Sequence, residues 1–164
     1  MNIATNEYSE VRRLLLKGAG VAALIGLGVI PFDVPQALAA ANDKYPEDAF
    51  KQKTVADAIK ALYGKTAEPS DKVKMDAPEI AENGAVVPIS ATTTLPGVTS
   101  ISFLVSENPI SLVASYKIPD GTLPSVGNRI KMAKTSNVVV LVEADGKLYS
   151  ATKEIKVTVG GCGG

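Results

Sequence analysis

The chain has 164 residues, and 17 Lys and Arg balance 17 Asp and Glu, so the formal net charge is zero. With no basic patch, nothing points to nucleic acid as a partner. There is no His, no Trp and one Cys, which rules out a Ser-His-Asp triad and argues against zinc, a metal that takes about four ligands.

The amino terminus bears on the compartment. Ser9-Glu10-Val11-Arg12-Arg13-Leu14-Leu15-Leu16-Lys17 carries the paired arginines, apolar offset and following lysine of a twin-arginine export signal. The apolar run from Gly18 to Ile30 is too short to span about 30 Å of hydrocarbon. Ala37-Leu38-Ala39 forms a small-residue cleavage site, with cleavage after Ala41 as the close alternative. Residues 1–39 therefore read as a signal peptide recognised through Arg12 and Arg13, against the blander reading of a membrane anchor. That route exports folded proteins, so the mature chain is expected in the periplasm, with no membrane association after cleavage. The compartment is oxidising, which makes a lone thiol conspicuous.

Residues 40–159 read as one domain, a length that supports its own core. A polar lead-in runs from Asn42 to Lys53, with a helical turn. Thr54-Val55-Ala56-Asp57 resembles a capping box, Val55, Ala58, Ile59 and Leu62 fall at helical spacing, and Gly64 stands at the C-cap. The spacing predicts a short helix of about ten residues, packed over one end of the domain.

Beyond Pro69 the period changes from 3.6 to 2. Val73, Met75 and Ala77 alternate, Glu82-Asn83-Gly84 signals a turn, and 85–91 reads as the next strand. Ile101, Phe103 and Val105 form the apolar side of a third strand, with Ser100 and Ser102 opposite. Leu112, Ala114, Tyr116 and Ile118 repeat the pattern. A Pro- and Gly-rich loop is expected over 119–128, then strands over 129–133 and 137–143. Asp145-Gly146 is the strongest hairpin signal. The final strand places Tyr149, Ala151, Ile155, Val157 and Val159 on one face, with Lys153 the exception. These are about seven short strands, and they point to an antiparallel, immunoglobulin-like β-sandwich without the usual disulfide.

The sandwich itself offers little chemistry. Asp76, Glu79 and Glu82 have turn-like spacing and read as solvated carboxylates. Arg129 and Lys131 share one face of a predicted strand, where they suit a partner carboxylate or, more plainly, a charged edge that discourages strand pairing.

The chemistry lies after Val159. Gly160, Gly161, Gly163 and Gly164 bracket Cys162. Glycine lacks a Cβ and defaults to a mobile tether that passes narrow openings; an accessible thiol is the strongest side-chain nucleophile. Residues 160–164 therefore read as a thin arm bearing a reactive sulfur, against the bland reading of a frayed tail. An intramolecular disulfide is impossible, so Cys162 reacts with something outside the chain.

Taken together, the leader, the run from Pro78 to Pro88, Asn108-Pro109, Arg129-Ile130-Lys131-Met132, Met132-Ala133-Lys134-Thr135-Ser136 and the Gly-Gly-Cys-Gly-Gly ending resemble the SoxY family, sulfur-carrier subunits of the bacterial thiosulfate-oxidising Sox system. The resemblance spans essentially the whole chain. It implies a heterodimer with a SoxZ-like β-sandwich subunit and substrate carried covalently on Cys162. It further implies loading by a c-type cytochrome complex, sulfate release by a hydrolase and, where present, oxidation by a sulfur dehydrogenase. The chain would then be no enzyme and would need no cofactor. A reading from another class is a thiol-reactive adaptor that forms a mixed disulfide with another exported protein; a third is a structural subunit with an incidental tail. Mass spectrometry separates them, through thiosulfate or sulfur adducts, a protein-sized disulfide or an unmodified thiol respectively.

Replacing Arg12 and Arg13 together by Lys is expected to leave precursor in the cytoplasm. Fractionation and immunoblotting check this, and normal periplasmic yield would refute the export assignment.

Overall fold

From Ala67 onward the alternation of apolar and polar residues becomes strands. The computed structural model describes residues 45–159. The strands are β1 (Ala67–Pro69), β2 (Val73–Asp76), β3 (Ile80–Ala81), β4 (Val87–Thr93), β5 (Val98–Val105), β6 (Leu112–Lys117), β7 (Ser125–Ile130), β8 (Ser136–Ala144) and β9 (Lys147–Val157). They form a β-sandwich. The larger sheet has the order β1-β9-β8-β5-β6, with β3 also beside β9, and the smaller has the order β2-β4-β7. Ile101, Phe103 and Val105 of β5 and Val138, Val140 and Val142 of β8 pack against Val87, Ile89 and Ala91 of β4. These inward positions have the period of two that strands impose.

The seven expected strands are present, and β1 and β3 are additional. With three and two residues they are too short to leave a periodic signal. Both pair in parallel with β9, so the sandwich is not wholly antiparallel. The hairpin falls where expected: Asp145 and Gly146 have φ of 49° and 75°, the doubly positive geometry of a two-residue turn between Ala144 and Lys147.

The helix, α1 (Val55–Tyr63), is also where the spacing puts it. The Thr54 hydroxyl accepts from the Asp57 amide at 3.1 Å, and Gly64 closes the helix at φ 62°. Its location differs from expectation. It does not cap an end but covers the outer face of the larger sheet, where Ala58 packs with Leu104, Leu112, Val139, Leu141 and Leu148. This explains why β5 is apolar on one side and carries serines on the other, yet is buried on both. The Tyr63 hydroxyl lies 2.7 Å from that of Ser102 and 3.0 Å from that of Ser100, and Ser102 donates to Ser115 at 2.8 Å. Burial holds the Tyr63 phenol above its ordinary pKa despite these bonds. Just past the helix, Lys65 pairs with Glu143 at 2.5 Å, which lowers the Glu143 carboxyl.

Three further expectations need correction. The strand expected over 129–133 lies earlier, as β7, because Gly127 and Asn128 read as loop residues but belong to an edge strand. Lys131 follows the end of that strand, so Arg129 and Lys131 do not share a strand face, although both are exposed. Val159 lies beyond β9 and is 63% exposed, not turned to the core. Lys153 is explained: its ammonium donates to the Ala77 carbonyl at 2.6 Å.

Tyr63→Phe is expected to destabilise the fold by about 1–3 kcal/mol, because Ser100 loses its hydroxyl partner under the helix; urea unfolding measures it. Glu143 contributes stability above its ordinary carboxylate pKa that is lost as pH falls through its lowered folded value. Glu143→Gln should therefore flatten the acid limb of the stability profile.

Candidate functional site

The sequence places the chemistry on Cys162, which with Gly160, Gly161, Gly163, Gly164, Arg12 and Arg13 lies outside the described residues. What the structure does describe is the root from which the carboxy-terminal segment departs. Pairing of β9 with β8 reaches Ser136↔Ile155. Beyond it, the Thr135 hydroxyl accepts from the Val157 amide at 2.9 Å. On the other side, the carbonyls of Glu79 and Ala81 accept from the amides of Lys156 at 2.9 Å and Thr158 at 3.1 Å. The Thr158 hydroxyl donates to the Glu82 carbonyl at 2.8 Å, and the Gly84 amide donates to the Val159 carbonyl at 2.8 Å. The chain is thus held on both sides up to Val159.

The holding segment is itself held. The Asn83 side chain accepts from the Ala85 amide at 2.8 Å, tightening the turn. Gly84 is buried, and its carbonyl accepts from the Met132 amide at 2.7 Å. The loop after β7 is fixed in turn by Asn108, which donates to the Lys131 carbonyl at 2.8 Å and accepts from the Ala133 amide at 2.9 Å.

At the same end of the sandwich, between β6 and β7, lies a cleft of about 490 Å³ lined by Tyr45, Phe50, Ile110, Arg129 and Lys131, among others. Tyr45 and Phe50 stack with ring centroids 5.2 Å apart. The structure therefore does bring Arg129 and Lys131 together, at a cleft wall. A second, shallow cleft of about 760 Å³ lies beside Asp76, Pro88 and Arg129. Pro88 sits beyond the last β2–β4 pair, Asp76↔Ser90, where its missing N–H leaves no partner on β2 wanting. Among the described residues no three His, Cys, Asp or Glu side chains are grouped to hold a metal.

Sequence reasoning read Glu79 and Glu82 as solvated carboxylates, and their side chains are indeed exposed. It missed that their backbone carbonyls, with those of the neighbouring residues, hold the root. A two-residue parallel pairing across more than seventy positions leaves no local pattern; the Asn83-Gly84 turn was the only visible trace.

Comparison with known proteins agrees with this geometry. The family model described as sulfur oxidation protein SoxY matches residues 59–162. The structure of the sulfur carrier protein SoxY from Chlorobium limicola f. thiosulfatophilum is similar at 45% identity and a TM-score of 0.59, covering 65% of this chain and 97% of that one. A superoxide reductase (neelaredoxin) from Ignicoccus hospitalis is similar at 19% identity and a TM-score of 0.50, covering 56% of this chain and 94% of that one. At that identity the likeness is one of fold alone. No curated protein matches the chain.

Thr135→Val removes the acceptor of the Val157 amide. Exchange of that amide with solvent deuterium is expected to quicken about five- to tenfold, the factor equivalent to one hydrogen bond of about 1 kcal/mol. Unchanged exchange would show that the hydroxyl does not hold the root.

Proposed function

The chain belongs to the SoxY family of sulfur oxidation proteins, and from that membership we propose that it is a periplasmic carrier that holds thiosulfate-derived intermediates covalently on Cys162. The observation that carries this reading is the extent of the family match, which runs to residue 162, the cysteine itself. The fixed root supports it. Hydrogen bonds hold the chain at Thr158 and Val159, and Gly160 and Gly161 lie between that point and the thiol in sequence.

In this reading residues 1–39 direct export, residues 40–159 form the body and residues 160–164 form a swinging arm. A c-type cytochrome complex couples thiosulfate to the thiol. The Cys162 S–H bond is lost, a sulfur–sulfur bond forms, and two electrons pass to the cytochrome as one proton is released. The product is a cysteine S-thiosulfonate with one negative charge. A hydrolase then adds water across the terminal S–SO₃ bond, releasing sulfate and one proton and leaving a protonated persulfide on Cys162. A sulfur dehydrogenase, where the host has one, oxidises that remaining sulfur. The body supplies no catalytic group to these steps and needs no cofactor. A SoxZ-like subunit completes the carrier as a heterodimer.

Glycine suits this work because an arm without Cβ atoms enters a narrow opening and bends freely. Serine at position 162 cannot form the sulfur–sulfur bond. Cys162→Ser is therefore expected to fold normally and to abolish thiosulfate-dependent turnover, while mass spectrometry of the wild type finds thiosulfate or sulfur adducts. Replacing Gly161 and Gly163 together by Val should leave reaction with small thiol reagents near normal yet sharply slow loading and release, because β-branched residues stiffen the arm and widen it. Wild-type turnover by the double variant would show that the arm is only a spacer.

A further inference from the structure

We propose that the end of the sandwich carrying the arm root is the docking face for the enzymes that act on Cys162, and that it fits a protein rim combining apolar side chains with carboxylates. The proposal rests on the carrier reading above and adds where, and by what chemistry, the carrier is recognised.

The first argument is reach. The chain is held up to Val159, and Cys162 is three residues further on. At about 3.3–3.6 Å per extended residue the thiol travels no more than roughly 10 Å from that point. Any enzyme whose catalytic groups touch the thiol must bring its own surface against this end of the body.

The second argument is where apolar side chains are exposed. Seven large ones are exposed among the described residues. Ile80, Val86 and Val159, each more than half exposed, belong to the root or to the segment that holds it. Tyr45 and Ile110, 58% and 46% exposed, line the cleft at the same end of the sandwich. The cleft and the root are joined through the backbone: Lys131 immediately precedes Met132, whose amide binds Gly84, which in turn binds Val159. Only Tyr116 and Leu123 lie outside this set. Such clustering marks an interaction surface, whereas scattered exposure would not.

The third argument is charge. Arg129 and Lys131 line the same cleft, and neither takes part in an ion pair among the described residues, whereas neighbouring Lys134 is paired with Glu107 at 2.8 Å. Two exposed cations beside a stacked Tyr45–Phe50 pair suit a partner that offers carboxylates beside apolar groups. A two-fold contact with a second copy centred on this cleft would set these cations against their own equivalents, which disfavours that arrangement.

The test uses the mature chain purified from its host with any subunit it retains, titrated into a periplasmic extract from a strain lacking this chain. Thiosulfate-dependent electron transfer is the readout. For Arg129→Glu with Lys131→Glu, the carrier concentration giving half-maximal rate is expected to rise at least about tenfold, and added salt should weaken the wild type far more than the variant. Lys117→Glu with Lys147→Glu, at the opposite end of the sandwich, should behave as wild type. All variants should react normally with a small aromatic disulfide, which reports the thiol and not the docking face. An unchanged concentration dependence would overturn the proposal. So would loss of a retained subunit or of a self-dimer from the double variant on size exclusion, because the cleft would then seat that chain. Altered thiol reactivity would overturn it as well, because the cations would then act on the arm. Turnover by Cys162→Ser would overturn the carrier reading itself, and is distinguishable from all of these.

Discussion

Strand β9 is the element on which the rest depends. Over Lys147–Val157 it pairs with β8 along one edge and with β1 and then β3 along the other. Its alternation divides the work of the molecule: Leu148 enters the layer beneath the helix and Ile155 enters the sandwich core. Because both edges of the strand are occupied, the point where regular structure stops is well defined. The holding bonds at that end come from backbone carbonyls and amides of 79–84, with hydroxyls of Thr135 and Thr158 added. The segment from Glu79 to Gly84 and the end of β9 thus pair one another's backbone groups, as a strand edge requires.

Covering the outer face of the larger sheet follows from the same need. A three-stranded sheet and a single interface would leave Leu104, Val139, Leu141 and Leu148 in water. The helix removes them from it, with Thr54 and Gly64 fixing its two ends. The polar strip on that face is then handled by hydroxyls: Tyr63, Ser100, Ser102 and Ser115 satisfy one another. No buried side-chain nitrogen or oxygen among the described residues is left without a hydrogen-bond partner.

The helix, the Asp145-Gly146 hairpin and the inward faces of β4, β5, β8 and β9 were legible because each leaves a local pattern. The serines of β5 were visible too, but not that a helix lies over them, since the packing of α1 is decided by complementary faces far apart in sequence. The same limit hid β1 and β3 and shifted β7, whose Gly127 and Asn128 have turn composition but sit on an open edge where Gly127 has nothing to pack against. Cys162 and its glycines lie outside the described residues, so their reading stays one made from chemistry and from the family resemblance. The cleft between β6 and β7 was not legible, because Tyr45, Ile110 and Lys131 come from three separate segments.

The fixed root also sets the energetics of a swinging arm of the kind proposed. Ordering one residue costs about 1–2 kcal/mol, with glycine at the upper end. An enzyme that threads residues 160–162 to reach the thiol must therefore offset several kcal/mol before any gain from the chemistry. Were Thr158 and Val159 free as well, that cost would grow by two residues and the thiol would search a larger volume at lower effective concentration. In the carrier reading, holding Thr158 and Val159 in place removes the ordering cost of those two residues. Contacts outside the enzyme's channel help to meet the remaining deficit, and the surface surrounding the root is the part of this chain placed to make them. A short arm and a sticky end face are thus two consequences of one constraint: the thiol must be mobile, and the place it leaves from must not be.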